Sequence, residues 1–203
     1  DRFNARSLLL ENSLAFEGVG GDDLFYVRGT ALGDVRTVGD DGADNHNVVF
    51  GNAAGRTVEV VDETVGAANR VSFFGTDLDD TFNVFSNSVQ FASELAMMSG
   101  NFITLSVFGK MGQDQLNLTS TPAGINRFFG DEDDDYLFGE SEADIIFGGA
   151  GDDHVESLTG IDCVTMPQGM SADEVVPGPS SGNDIVFGDE GLVAFLEFYD
   201  TAD

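Results

Sequence analysis

Aspartates held at a fixed distance from glycines are the residues of this sequence best suited to chemistry. In GDEDDDYLF from Gly130, GESEADIIF from Gly139 and GGAGDDHVE from Gly148, three contiguous nonapeptides begin with Gly and place Asp at position six. Glycine at positions one and four permits the positive φ angles of a tight turn, which lets carbonyl oxygens point at one place. Asp135, Asp144 and Asp153 at position six add short, charged oxygen donors. Such a donor set suits calcium, a hard cation that takes about 6 to 8 oxygens at roughly 2.3 to 2.6 Å, more than one turn can supply. Gly130, Gly139 and Gly148 with these aspartates are therefore candidate metal-site residues, and two turns must cooperate to complete a site.

The frame extends in both directions. TPAGINRFF from Thr121 keeps Gly124 and Phe128 with Asn126 in the Asp place, and SLTGIDCVT from Ser157 keeps Gly160, Asp162 and Val164, so five units run in phase from Thr121 to Thr165. Scattered copies place Asp23, Asp44, Asp80 and Asp114 at position six of units starting at Gly18, Gly39, Gly75 and Gly109, and Asp184 at position six of PSSGNDIVF. The unit from Gly39 carries His46 where the others carry a large apolar residue.

These nonapeptides resemble the RTX, or haemolysin-type calcium-binding, repeat, whose pattern G-G-x-G-x-D-x-U-x the unit from Gly148 meets at every position. The resemblance implies a right-handed parallel β-roll in which two nonapeptides make one turn, with Ca2+ held between stacked turns. On that geometry Asp135 lies below Asp153 on one edge and Asp144 below Asp162 on the other, each pair sharing an ion. The early units start 21, 36 and 34 residues apart, departing from the strict turn, and imply a wider, irregular solenoid in the first half.

Positions seven to nine must then form short strands. Side chains alternate across a strand, so Phe128, Leu137, Ile146, Val155 and Val164 at position eight point inward. Position nine holds Phe129, Phe138, Phe147 and Phe187, and Phe50, Phe74 and Phe108 also precede a Gly. Rows of Phe on the outer faces are expected to be packing surfaces, with Phe138 opposite Phe129 and Phe147. Segments such as RTVEVVDETV and NFITLSVF read as strands, and SELAMM is the single helical hint. The fold class is therefore all-β, a parallel β-roll or β-solenoid. Its expected parts are 1–108, irregular solenoid; 109–165, regular calcium-binding roll; 166–178, linker or excursion; and 179–203, final units and cap.

Charge narrows the function. Of 203 residues, 37 are Asp or Glu against 8 Lys or Arg, a net charge of −29, which argues against nucleic acid or an anionic membrane surface as partner. Hydrophobic residues make up 41% and include 18 Phe, too many for an acidic disordered tail. No run of apolar residues is long enough to span a bilayer as a helix, and Cys163 has no second Cys for an internal disulfide. The alternative source of acidity, halophily, fits the lone Lys110 but not the eleven acids gathered between Asp131 and Glu156. The first residue is Asp1 rather than Met, and the sequence reads as a piece of a longer or processed protein.

Other motifs carry less. His46 and His154 lie in no zinc-type spacing and read as surface or core-edge residues, and GPSSG at Gly178 to Gly182 lacks the strand and helix that a nucleophile elbow needs. Adjacent acids such as Asp79 with Asp80 coincide with repeat positions five and six, so calcium accounts for them better than acid and base catalysis on a polysaccharide. Asn117 heads an N-x-T sequon. The expectation is a non-enzymatic, calcium-binding extracellular module, structural or adhesive, whose partners are calcium and other copies or segments of a larger assembly. The alternative is a secretion and folding module of a secreted enzyme whose catalytic domain lies elsewhere.

Overall fold

The computed structural model describes the backbone of residues 1–6, 13–28, 33–51, 55–62, 64, 66–120, 125–139, 144–157, 163–165, 174–177, 184–187 and 193–196, with side chains as far as Glu156 except those of 4–6. Every regular element among them is a strand, so no helix there is long and apolar enough to cross a membrane. The chain forms an all-β solenoid of two sheets. The first contains, in spatial order, β1 (Arg2–Arg6), β3 (Leu24–Arg28), β5 (Asn45–Val49), β7 (Arg70–Phe74), β11 (Thr104–Lys110), β13 (Ile125–Glu132), β15 (Asp144–Ala150), β17 (Cys163–Thr165), β19 (Asp184–Phe187) and β20 (Val193–Leu196). The second contains β18 (Glu174–Pro177), β16 (His154–Ser157), β14 (Tyr136–Phe138), β12 (Gln115–Leu118), β8 (Thr81–Phe85), β9 (Ser88–Phe91), β10 (Glu94–Gly100), β6 (Thr57–Asp62), β4 (Val35–Gly39) and β2 (Leu14–Glu17).

Alternation of apolar and polar residues sets this arrangement. Phe73, Val107, Phe128 and Ile146 are in register across the first sheet, and Phe82, Leu116, Leu137 and Val155 across the second; all are buried between the sheets. The expected inward row is thus present at Phe128, Leu137, Ile146 and Val155, while the side chain of Val164 lies outside the described residues. Within 166–178, expected to be an excursion, Glu174–Pro177 forms β18 and pairs in parallel with β16.

Among the described residues two departures from parallel coiling occur. At one, β20 turns back antiparallel on β19. The larger is a meander in which β9 pairs antiparallel with both β8 and β10, so that β6 adjoins β10 and β12 adjoins β8. This insertion accounts for the 34 residues between Asp80 and Asp114. SELAMM, the helical hint, is a strand: Ala96 and Met98 are buried while Leu95 and Met97 face out, a period of two that pairing on both edges fixes.

Phe50 also departs from expectation. Alternation along β5 turns His46, Val48 and then Phe50 inward, and the Phe50 ring meets Phe91 at 4.8 Å, Phe73 at 5.8 Å and Phe82 at 6.0 Å in the core beside the meander. Arg56 and Glu94 form a fully buried ion pair there, with Glu94 Oε1 accepting the Gly51 amide at 3.0 Å and the Arg56 guanidinium donating to the Val49 carbonyl at 3.3 Å. Phe74, Phe108, Phe129 and Phe147 do face outward, half-buried, as one stack with centroids 4.7, 4.4 and 4.7 Å apart and rings within 6° of parallel. Phe138 lies on the other sheet, as expected.

Candidate metal site in the stacked acidic turns

Two strand types joined by Gly-rich turns bring the position-six aspartates into columns. Before the second sheet, Asp80, Asp114, Asp135 and Asp153 occupy successive rungs: the Asp80 amide donates to Asp114 Oδ1 at 2.9 Å, Asp114 to Asp135 at 2.8 Å, and Asp135 to Asp153 at 3.0 Å. Before the first sheet, the Asp23 amide donates to Asp44 Oδ1 at 2.8 Å and the Asp44 amide to Asn69 Oδ1 at 3.1 Å. Asp135 therefore does lie beside Asp153, on the edge opposite Asp144. All of these side chains are buried.

Position five clamps the same turns in the opposite direction. The amide of the later turn donates to the carboxylate of the earlier one: Ala43 to Asp22 at 3.0 Å, Gln113 to Asp79 at 3.1 Å, and Asp152 to Asp134 at 2.8 Å. An Asp-Asp doublet thus has two separate uses, one residue bonding each neighbouring turn, an arrangement that single-residue periodicity does not reveal.

Glycine at position one acts through space rather than φ, contrary to expectation. A Cβ on Gly109 or Gly130 would collide with the Oδ2 of its own Asp114 or Asp135 and with the carbonyl oxygen of Gly130 or Gly148 in the next turn. Positive φ falls instead at positions two and four: 93° at Lys110, 83° at Asp131, 106° at Gly112 and 77° at Asp133. Gly148 thus contributes a carbonyl to the column, and Gly139 donates its amide to the Glu156 carbonyl at 2.8 Å.

Oδ2 of Asp23, Asp44, Asp114 and Asp135 is shut from solvent and has no hydrogen-bond partner. Burial pushes the Asp135 carboxyl up to about 8 and Asp114 up to about 7; amide hydrogen bonds oppose this, and neighbouring carboxylates add to it. Burial raises Asp44 and Asp80 as well. These oxygens and the adjoining carbonyls are all hard donors and fit calcium. Among the described residues no three His, Cys, Asp or Glu side chains converge as a metal site, so a cation held here draws on backbone oxygens too.

Asp144 is buried on β15 in register with Asn126 of β13, whose amide nitrogen and oxygen both lack partners. Asp162 lies outside the described residues, as does GPSSG; for Asp184 the backbone opens β19 but the side chain is not described. His46 is fully buried rather than at the surface: its ring stacks on Phe25 at 4.5 Å and Nδ1 is 2.9 Å from Thr37 Oγ1. Position eight turns inward whatever residue occupies it. His154 is half-buried, 5.8 Å from the Tyr136 ring. Asn69, Asp62 and Thr76 were missed by the sequence reading. Only Asn69 carried a signal, since Asn69-Arg70-Val71 repeats the Asx-x-apolar spacing.

No curated protein matches the chain. Residues 123–162 match the family model of the RTX calcium-binding nonapeptide repeat in four copies, a stretch that includes Asp135 and Asp153 of the column just described. The chain therefore carries RTX calcium-binding repeats, built here into a two-sheet parallel β-solenoid.

Proposed function

We propose that this chain is a calcium-stabilised rigid segment of a larger extracellular structural or adhesive assembly, without chemistry of its own. The observation that carries the calcium dependence is the column of buried carboxylates, in which Asp114 and Asp135 each present an oxygen with no protein partner. Without a cation these charges repel and lack water; a divalent ion binding only the folded state stabilises it by mass action. The outward stack of Phe74, Phe108, Phe129 and Phe147 supports assembly, because a continuous apolar stripe on a solenoid face suits lateral packing. Extracellular calcium modules work at about 0.1 to 1 mM, and a site in that range would fold the chain outside the cell.

The test follows far-ultraviolet circular dichroism and light scattering while calcium is added to the chelated chain. Rising β signal followed by concentration-dependent assembly is expected; equal structure in chelator would overturn the calcium reading, and a monomer at every concentration the assembly reading. The RTX match itself favours a second reading, a calcium-dependent secretion and folding module of a secreted enzyme. Calcium-dependent folding without self-association, together with hydrolase activity in the parent protein, would select it.

A further inference from the structure

We infer that calcium dependence is divided between two arms of this solenoid by a centre that folds without the ion. The inference rests on the calcium reading above and assigns to Asp80 a role different from those of Asp114 and Asp135. The column before the first sheet ends at Asn69, a neutral side chain whose Oδ1 accepts the Asp44 amide at 3.1 Å and whose Nδ2 donates to Asp62 Oδ1 at 2.7 Å. Charge stops there. The second column starts at Asp80, and both of its carboxylate oxygens are satisfied within its own turn: the Thr76 amide donates to Oδ2 at 2.6 Å and the Thr76 hydroxyl to Oδ1 at 3.1 Å.

Along the second column the difference coincides with a change at position two. Thr76 occupies it in the turn of Asp80, with no positive φ, and its amide points at the carboxylate. In the next two turns Lys110 and Asp131 occupy position two at φ of 93° and 83°, and Oδ2 of Asp114 and Asp135 is left without a donor. Between the columns, the chain relies on contacts that need no cation. The β8–β9–β10 meander is local in sequence, Phe50, Phe73, Phe82 and Phe91 fill the space beside it, and the Arg56–Glu94 pair neutralises its own charge. Locally connected antiparallel strands packed on an apolar cluster are the kind of unit that forms early and independently.

Hydrogen exchange of the whole chain, read by peptide in chelator and across a calcium titration at pH 7, tests this. Amides of β7 to β10 are expected to stay protected in chelator, while those of β3 and β5 on one side and of β14 and β16 on the other gain protection only with calcium. Asp114→Asn is expected to move the calcium midpoint of β14 and β16 about tenfold, as loss of one ligand charge does, and to leave that of β3 and β5 in place. Asp80→Asn, which keeps an acceptor for Thr76, is expected to move neither. Loss of protection in β7 to β10 together with both arms in chelator, or an Asp80→Asn shift equal to that of Asp114→Asn, overturns the division while leaving the calcium reading intact. Protection of every segment in chelator overturns the calcium reading itself, and the division with it.

Discussion

Acid should substitute for calcium in folding this chain. In chelator, Asp114 and Asp135 have folded-state pKa values of about 7 and about 8 against an ordinary 3.8, because burial disfavours their charged forms. A carboxyl raised on folding contributes stability that is complete below its unfolded pKa and lost as pH rises through its folded pKa. The window is therefore from about pH 4 to about pH 8. At pH 7 either group alone costs the metal-free fold about 4 kcal/mol, since each pH step between the two pKa values is worth about 1.4 kcal/mol. The Asp114 carboxylate adds to the rise at Asp135, so the joint cost is less than the sum, on the order of 5 kcal/mol. That is comparable with the whole stability of an ordinary domain, about 5 to 15 kcal/mol. A single ion at 100 times its Kd restores about 2.7 kcal/mol, so two ions at these turns offset the penalty. The assay is circular dichroism of dilute chain between pH 8 and pH 4, with chelator and with millimolar calcium. In chelator the β signal should grow on acidification through that window, and in calcium it should stay flat. General relief of the net negative charge also favours acid folding, so Asp114→Asn with Asp135→Asn isolates the column by flattening the chelator profile between pH 5 and pH 8. A metal-free chain that is most ordered at pH 8 and loses structure by pH 5 would refute the reasoning.

Gly130→Ala should destabilise the calcium-loaded chain by about 1 to 3 kcal/mol, because its Cβ meets the Asp135 carboxylate and the Gly148 carbonyl; thermal unfolding in calcium reads it. Gly55→Ala, where φ is 73° but nothing lies near the added Cβ, should cost about 1 kcal/mol, separating collision from backbone strain. Arg56→Ala should cost about 3 to 5 kcal/mol in urea unfolding by leaving Glu94 charged in the core, and Arg56→Met with Glu94→Leu should recover most of that. Phe129→Ser, in the middle of the outer stack, should reduce light-scattering assembly in calcium while leaving the circular dichroism spectrum in place, and an unchanged assembly would argue against that face as the contact.

The regular part of this fold was legible because its information is local. Five units in phase announce both the turn aspartates and the inward row of Phe128, Leu137, Ile146 and Val155, since each position fixes its own direction in the strand. Features that depend on which turn stacks on which were hidden. The distance from Asp80 to Asp114 reads as a broken period until β9 and β10 are known to fold back within one sheet. Helical propensity suggested SELAMM, but two neighbouring strands override it. His46 looked out of place by polarity alone; only with Phe25 on one face and Thr37 at Nδ1 does an imidazole satisfy that core. Glycine at position one was expected for its φ, whereas at Gly109 and Gly130 a side chain is excluded by the unit's own Asp Oδ2 and by a carbonyl oxygen of the next turn, which the single unit does not contain.

The paired bonds of the aspartate doublets give the stack a chemical sense of direction. Along the second sheet the buried carboxylates of Asp114, Asp135 and Asp153 each receive an amide from the turn before, while those of Asp79 and Asp134 at position five receive one from the turn after. Every rung is thus a plug on one side and a socket on the other, and the two are not interchangeable. A turn presented upside down would set carboxylate against carboxylate in the buried column and amide against amide beside it. Growth by stacking, whether along one chain or between chains, is consequently a one-way process, read by hydrogen bonds before any cation arrives to lock it.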